Sequence, residues 1–312
     1  MMWLTWRQHR IEAFGAALVV IPTLLVIAGL AIAAQPLTAQ VNQSCTSGIS
    51  DACGLSLQVF ADRFQTLHFI LHATLLGLPL LPGLFIGAPL LAREFEQGTD
   101  QLVWSQGITR RRWLFVKLGL LIAATLGIAA CLAVAGQLWA AAQPSMTINQ
   151  WNEFDYQGPA YVSYAFFALA LGVAAGTAIG RTVLAMAATL VGFVGVRMAI
   201  ALLARPNFLP PLQWDIGAGP SFPDQIWTIG EQRHLDLQGH AVGEAQWQAV
   251  LNACSQAQGT LESCLRDHGV LVVQAYQPSD RFWLFQSIEA TIFGLLAIVL
   301  LGLTVWLVAR RA

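Results

Sequence analysis

The sequence predicts an all-α membrane protein: six transmembrane helices, an N-terminal interfacial helix, a short cytoplasmic helix between spans two and three, and a small extracellular domain between spans five and six. Three observations predict it. Of 312 residues, 56% are hydrophobic and only 11% are charged, whereas a soluble domain carries about 25% charged residues. The mean hydropathy is +0.60. Apolar stretches long enough to cross a hydrocarbon core about 30 Å thick recur along the chain. The net charge of −1 says little about partners, because in a membrane protein the distribution of charge matters more than its sum.

Residues 1–12 mix Trp3, Leu4 and Trp6 with Arg7, His9 and Arg10. That composition suits a helix lying in the membrane interface; the alternative is a basic flank that only orients the first span. Residues 13–34 form the first span. The run is too long for the apolar region of a signal peptide, about 7–15 residues, so it is read as retained. Residues 35–67 read as an extracellular polar loop. The second span, residues 68–92, contains Pro79, Pro82 and Pro89. Each removes a backbone donor, so this helix is expected to bend and to pack inside the bundle, where neighbours satisfy the freed carbonyls.

Residues 93–113 are cytoplasmic. An acidic cluster of Glu94, Glu96 and Asp100 precedes a basic one of Arg110, Arg111, Arg112 and Lys117, with Gly98, Thr99 and Gly107 punctuating the middle of the stretch. Thr99 is a suitable N-cap, and Leu102, Val103 and Trp104 follow. The pattern reads as a short amphipathic helix over 99–106 offered to a partner; the plainer reading is a solvated charged loop. The third span covers residues 114–142, and a short loop, 143–159, holds Trp151, Glu153 and Asp155. The fourth span, 160–180, carries Gly172, Gly176 and Gly180, a spacing that admits a closely packed helix. Residues 183–204 make the fifth span, joined to the fourth by a very short turn.

Residues 205–282 form the extracellular domain. Its prolines predict an irregular start, residues 244–267 a helical hairpin turning at 258–260, and residues 270–275 a short strand. The sixth span is 283–309. With the N-terminus inside, Arg7, Arg10, Arg93, Arg110, Arg111, Arg112, Lys117, Arg181, Arg310 and Arg311 are all cytoplasmic, as the bias of basic residues toward the inner face requires. Both termini are then cytoplasmic, and the protein is multi-pass in the plasma membrane.

Cys45 and Cys53 share one outer loop, and Cys254 and Cys264 flank Gly259 symmetrically in the other. In an oxidising exterior these read as two disulfides; the alternative is four free thiols. Arg197 lies seven residues before the outer end of the fifth span, and Glu289 six residues after the outer start of the sixth. At 1.5 Å per residue both sit about 10 Å deep. Buried charges inside a membrane find partners, so a pair between Arg197 and Glu289 is expected, direct or through Gln286. It serves either as a polar latch or as a structural clamp; the alternative is that Arg197 snorkels alone to the outer surface.

No phosphate-binding glycine loop is present, and Lys117 is the sole lysine. No nucleophile–base set stands out, and the basic residues belong to the inner membrane face rather than to a nucleic-acid surface. His68 and His72 have the spacing of metal ligands but no evident third ligand; His234, Asp236 and His240 carry the same low weight. No metal is expected.

These residues carry a resemblance. The Arg-Glu-x-Glu-x-Gly-Thr element from Arg93 to Thr99, its short helix and its basic cluster resemble the ABC-2 type permeases of ABC exporters. The stretch Trp3 to Arg10, and the pattern from Tyr276 to Glu289 entering the last span, resemble the permeases common in actinobacteria. The resemblance implies that two permease chains pair, a homodimer in the simplest case, and expose a substrate path at their interface. It implies that separate ATPase subunits bind ATP and Mg and push on a coupling segment, here Glu94, Glu96, Gly98, Thr99, Leu102, Val103, Trp104, Arg110, Arg111 and Arg112. The chain itself is then not an enzyme and carries no cofactor. Two other classes compete: a sensor or regulatory subunit that binds a ligand with the extracellular domain, and a secondary transporter. The scarcity of ionisable groups in the spans and the lack of an evident repeat weigh against the second of these.

Overall fold

The computed structural model describes residues 2–46, 50–97, 110–144, 149–215, 225–255 and 261–310. Among them, six helices are long and apolar enough to cross a membrane: Phe14–Ser44, Asp51–Glu96, Leu118–Ala141, Gly158–Ile179, Thr182–Asn207 and Ser279–Arg310, here the first to sixth spans. The chain divides into two compact units. One comprises Met1–Ile148, Asn152–Ile200 and Gln286–Ala312; the other comprises Asn149–Trp151 and Ala201–Phe285.

The first helix is continuous from Met2 to Ser44. The N-terminal segment expected as a separate interfacial helix is therefore its opening turns: residues 10–15 hold no proline, and no cap residue breaks the backbone there. The expected loop 35–67 is also largely helical. The first helix persists to Ser44, and the second begins at Asp51 behind Ser50, whose side chain accepts a hydrogen bond from the Cys53 N–H. Such an N-cap satisfies a donor that the helix start otherwise leaves open. The reason is periodicity beneath the polar composition. Cys53, Phe60, Phe64, Leu71 and Leu75 recur on one face of the second helix, facing Ile27, Ala34 and Val41 of the first in one buried cluster. The Cys45–Cys53 disulfide closes the turn between the two helices.

The prolines of the second span change its hydrogen bonding. A 3-10 turn, Leu78–Leu80, leads into a π-helical segment, Pro82–Gly87, before α-helix resumes at Ala88–Gln97. Missing N–H donors shift the bonding register, which is how such segments arise. The fourth span packs against this irregular stretch. A Cβ on Gly172 would strike the carbonyl of Gly83, one on Gly176 the carbonyl of Ala88, and one on Gly87 would come within 2.7 Å of the Leu169 carbonyl oxygen. Only glycine permits that backbone approach. Gly180 ends the fourth span in the left-handed conformation, φ 68°, which glycine adopts without penalty.

The fourth span is the buried axis of this unit, with Tyr161, Tyr164, Phe167, Ala168 and Leu169 enclosed. The first span instead presents Phe14, Leu18, Leu25 and Ile32, and the sixth presents Leu295, Ile298 and Val299. Apolar side chains facing outward are what lipid requires of a helix whose backbone is satisfied internally.

The second unit corrects the all-α expectation. Beside two helices, Glu244–Cys254 and Leu261–Asp267, it holds three antiparallel strands: β1 (Leu212–Asp215), β2 (Trp227–Asp236) and β3 (Val270–Gln277), in the order β1-β3-β2. β3 lies near the expected strand, but β1 and β2 were not foreseen. β2 is interrupted between Ile229 and Arg233, where Gly230 has φ +66°. A bulge hides the two-residue alternation that would have marked it. The Gln274 side chain donates to the Ile229 carbonyl at 3.2 Å, satisfying a backbone group beside the bulge. Cys254 and Cys264 are bonded across the helical pair; the turn predicted at 258–260 lies outside the described residues.

Candidate functional site in a buried polar cluster

The fourth span starts after a 3-10 turn, Phe154–Tyr156. A helix start leaves backbone N–H groups without partners, and no side chain of the local sequence caps this one. A residue of the sixth span does. Gln286, fully enclosed, accepts from the Ala160 N–H at 3.0 Å and donates through Nε2 to the Phe154 carbonyl at 2.8 Å. Gln286 therefore joins the sixth span to both the turn and the fourth span.

One turn further along, Glu289 faces Tyr164. The pairs follow helical spacing: four residues separate Ala160 from Tyr164, and three separate Gln286 from Glu289, so both contacts fall on facing stripes. The Tyr164 hydroxyl lies 2.6 Å from Glu289 Oε1 and 3.4 Å from Asp155 Oδ1. A phenol has one proton to give, and the shorter contact identifies Glu289 as its acceptor.

Arg197 enters from the fifth span, 8% exposed. Its Nη2 lies 3.3 Å from Asp155 Oδ1, and its guanidinium carbon is 4.1 Å from the centre of the Tyr164 ring. A guanidinium over an aromatic face gains a cation–π attraction. The sequence set Arg197 opposite Glu289. The structure sets Asp155 beside Arg197 and gives Tyr164 contacts with both Arg197 and Glu289. The acid at Arg197 comes from a turn rather than from a span: Asp155 belongs to the 3-10 turn that precedes the fourth span.

At the opposite end of the fifth span, Glu96 Oε2 accepts from the Thr182 N–H at 3.2 Å and the Thr182 hydroxyl at 2.8 Å. Arg181, at the N-cap, makes no side-chain cap bond, so again a different helix supplies the cap. Glu94 is half-buried nearby in sequence. Gly98, Thr99, Leu102, Val103 and Trp104 lie outside the described residues. Arg110, Arg111 and Arg112 open the third helix, Arg110–Ala141.

Sequence reasoning missed Asp155, Tyr164 and Thr182. None carries a one-dimensional signal: Asp155 looks like loop, Tyr164 like apolar core, and Thr182 like a turn. The remaining candidates find ordinary partners. His234 stacks on Trp247 with ring centres 3.6 Å apart, and His240 Nδ1 lies 3.3 Å from Asp236. Cys254, Cys264 and His268 are close enough together to hold an ion, but the two thiols are joined to each other, which removes them as thiolate ligands.

The arrangement is a set of three spans and one turn locked through polar contacts inside an apolar bundle. A family model described as ABC-2 membrane transporter related matches residues 15–205, more than half of the chain and nearly all of its first five spans. No curated protein and no solved structure matches.

Proposed function

This chain belongs to the ABC-2 membrane transporter related family, and from that premise we propose that it is the transmembrane permease subunit of an ABC exporter. The observation that carries the reading is the family match, which runs through the acidic-to-basic segment between the second and third spans. Two permease chains pair, and separate ATPase subunits supply ATP hydrolysis. The segment 93–113 is the coupling segment, with Leu102, Val103 and Trp104 as its docking ridge and Arg110, Arg111 and Arg112 behind it. Both termini and this segment lie in the cytoplasm, and the turn closed by the Cys45–Cys53 bridge lies outside. Glu96 supports the reading: its bonds to Thr182 tie the start of the coupling segment to the fifth span, which carries Arg197 at its far end. Motion imposed on the segment would then be felt in the buried polar cluster.

The test is purification of the intact chain from its native membrane with any ATPase bound to it, followed by transport and hydrolysis in vesicles. The pair Leu102→Asp and Trp104→Asp removes the apolar ridge and places charge where burial is required, a loss of about 2 kcal/mol or more for a docking anchor. Assembly of the membrane domain should survive while hydrolysis no longer drives export. Normal export by the double variant would reject the coupling role, and failure to recover any ATPase with the intact chain would favour a sensor or regulatory subunit.

A further inference from the structure

Glu153 precedes the turn that carries Phe154 and Asp155. Its side chain is enclosed, 4% exposed, yet its Oε2 has no hydrogen-bond partner among the described residues. Its Oε1 lies 3.9 Å from His68 Nε2. An unpaired carboxylate in such surroundings is costly, and the neutral acid is the form this packing accepts.

The neighbouring imidazole has a defined tautomer. The Trp139 indole N–H can only donate, and it reaches His68 Nδ1 at 3.2 Å. Nδ1 is therefore unprotonated, and the ring proton sits on Nε2, facing Glu153. A second proton on His68 would have to break the Trp139 bond, so the proton of this pair resides on the carboxyl. On the same turn as Phe154 and Asp155, Tyr156 has a buried hydroxyl without a partner among the described residues. His72, on the second span, packs its ring against Tyr156 at 4.4 Å and 5.8 Å from His68. Asp155, on the same turn, pairs with Arg197 of the fifth span. Tyr161, on the fourth, offers a buried hydroxyl. The third span contributes Trp139, which carries no charge.

We propose that Glu153, set against the tautomer-locked His68, is a proton-binding site whose occupancy controls the buried polar cluster. Glu153, Phe154 and Asp155 are consecutive. The Phe154 carbonyl is held by Gln286 and the Asp155 carboxylate by Arg197. A proton taken up by Glu153 leaves this turn as described above. Its release leaves an anion that must draw in water or a cation, and the turn moves with it. Burial lifts the Glu153 carboxyl to about 7, so the exchange falls in the neutral range. The proton comes from the aqueous phase next to residues 143–157, which is the exterior on the topology proposed above; only the side of access rests on that reading.

The experiment is infrared spectroscopy of the purified chain in lipid, following the carbonyl band of protonated carboxyl groups as pH rises from about 5 to about 9 around the expected midpoint. A band should disappear near pH 7. It should be missing from Glu153→Gln and retained in Glu289→Gln. Trp139→Phe releases His68 Nδ1, so the imidazole competes for the proton and the carboxyl midpoint falls by about one unit or more, a tenfold change. Thermal unfolding gives an independent readout. A carboxyl raised in the folded state stabilises fully below its unfolded value, near 4.5, and that contribution is lost as pH rises through about 7. The wild type should lose melting temperature across that window, and Glu153→Gln should lose less. No titrating band, a band that survives Glu153→Gln, or a midpoint that ignores Trp139→Phe would each overturn the proposal. No ATPase is present in these measurements, so their failure leaves the exporter reading standing, and the converse holds.

Discussion

Arg197 shows how a charge survives inside an apolar bundle. Its guanidinium meets Asp155 at 3.3 Å and the face of Tyr164 at 4.1 Å, so both its charge and its flat surface are used. Asp155 keeps some solvent contact, its side chain being 29% exposed, and this weakens the pair relative to a fully buried one. Breaking a buried ion pair costs about 3–5 kcal/mol. Arg197→Met is therefore expected to cost about 1–3 kcal/mol, less than the fully buried case. In a double-mutant cycle with Asp155→Asn, melting temperatures should be non-additive; independent effects would show that the two side chains do not act together. Tyr164→Phe tests the other arm. It removes the donor to Glu289 and should cost about 1–3 kcal/mol, a loss that prior replacement by Glu289→Gln should reduce.

At the scale of elements, the recurring device is a helix start capped from another helix. Gln286 caps the fourth span and Glu96 the fifth, so capping and tertiary packing are one interaction here. The second device is the seat of the fourth span against the π-helical part of the second. Prolines shift the bonding of one helix, and glycines on both let the backbones meet. Gly172→Ala would push a methyl group into the Gly83 carbonyl, and overpacking of this kind costs about 1–3 kcal/mol. Gly294→Ala in the sixth span meets nothing within 4 Å and should leave the melting temperature unchanged or slightly raised. Equal effects at the two positions would show that the close approach contributes nothing to stability.

For the whole molecule, the distribution of basic residues makes a prediction about sidedness. In a Cys131→Ala background, Gln238→Cys should react with an impermeant thiol reagent on intact cells, since Gln238 is exposed in the second unit. Ser105→Cys, in the segment between the second and third spans, should react only after the membrane is opened. The reverse pattern would invert the topology and with it the side from which Glu153 exchanges its proton.

Composition and the length of the apolar runs were enough to determine six spans, because a bilayer imposes one requirement, sustained apolarity, that can be counted along a chain. The cysteine positions likewise pointed to the two bridges that the structure contains. The helical hairpin around Cys45 and Cys53 was not legible, and residues 35–67 read as a loop: Phe60 and Phe64 keep the period, but Asp62 and Arg63 between them mask it. β1 and β2 were not legible, since a four-residue strand and a bulged one leave no alternation to read. The candidate site was legible in its charges and not in its pairing. Depth arithmetic put Arg197 and Glu289 at one level, which follows from helix rise alone. That Asp155 and Tyr164 complete the cluster, that Gln286 caps a distant helix, and that Trp139 sets the proton of His68 were decided by tertiary structure. Each depends on which faces of separate helices meet, and helix rise along a single chain carries no information about that.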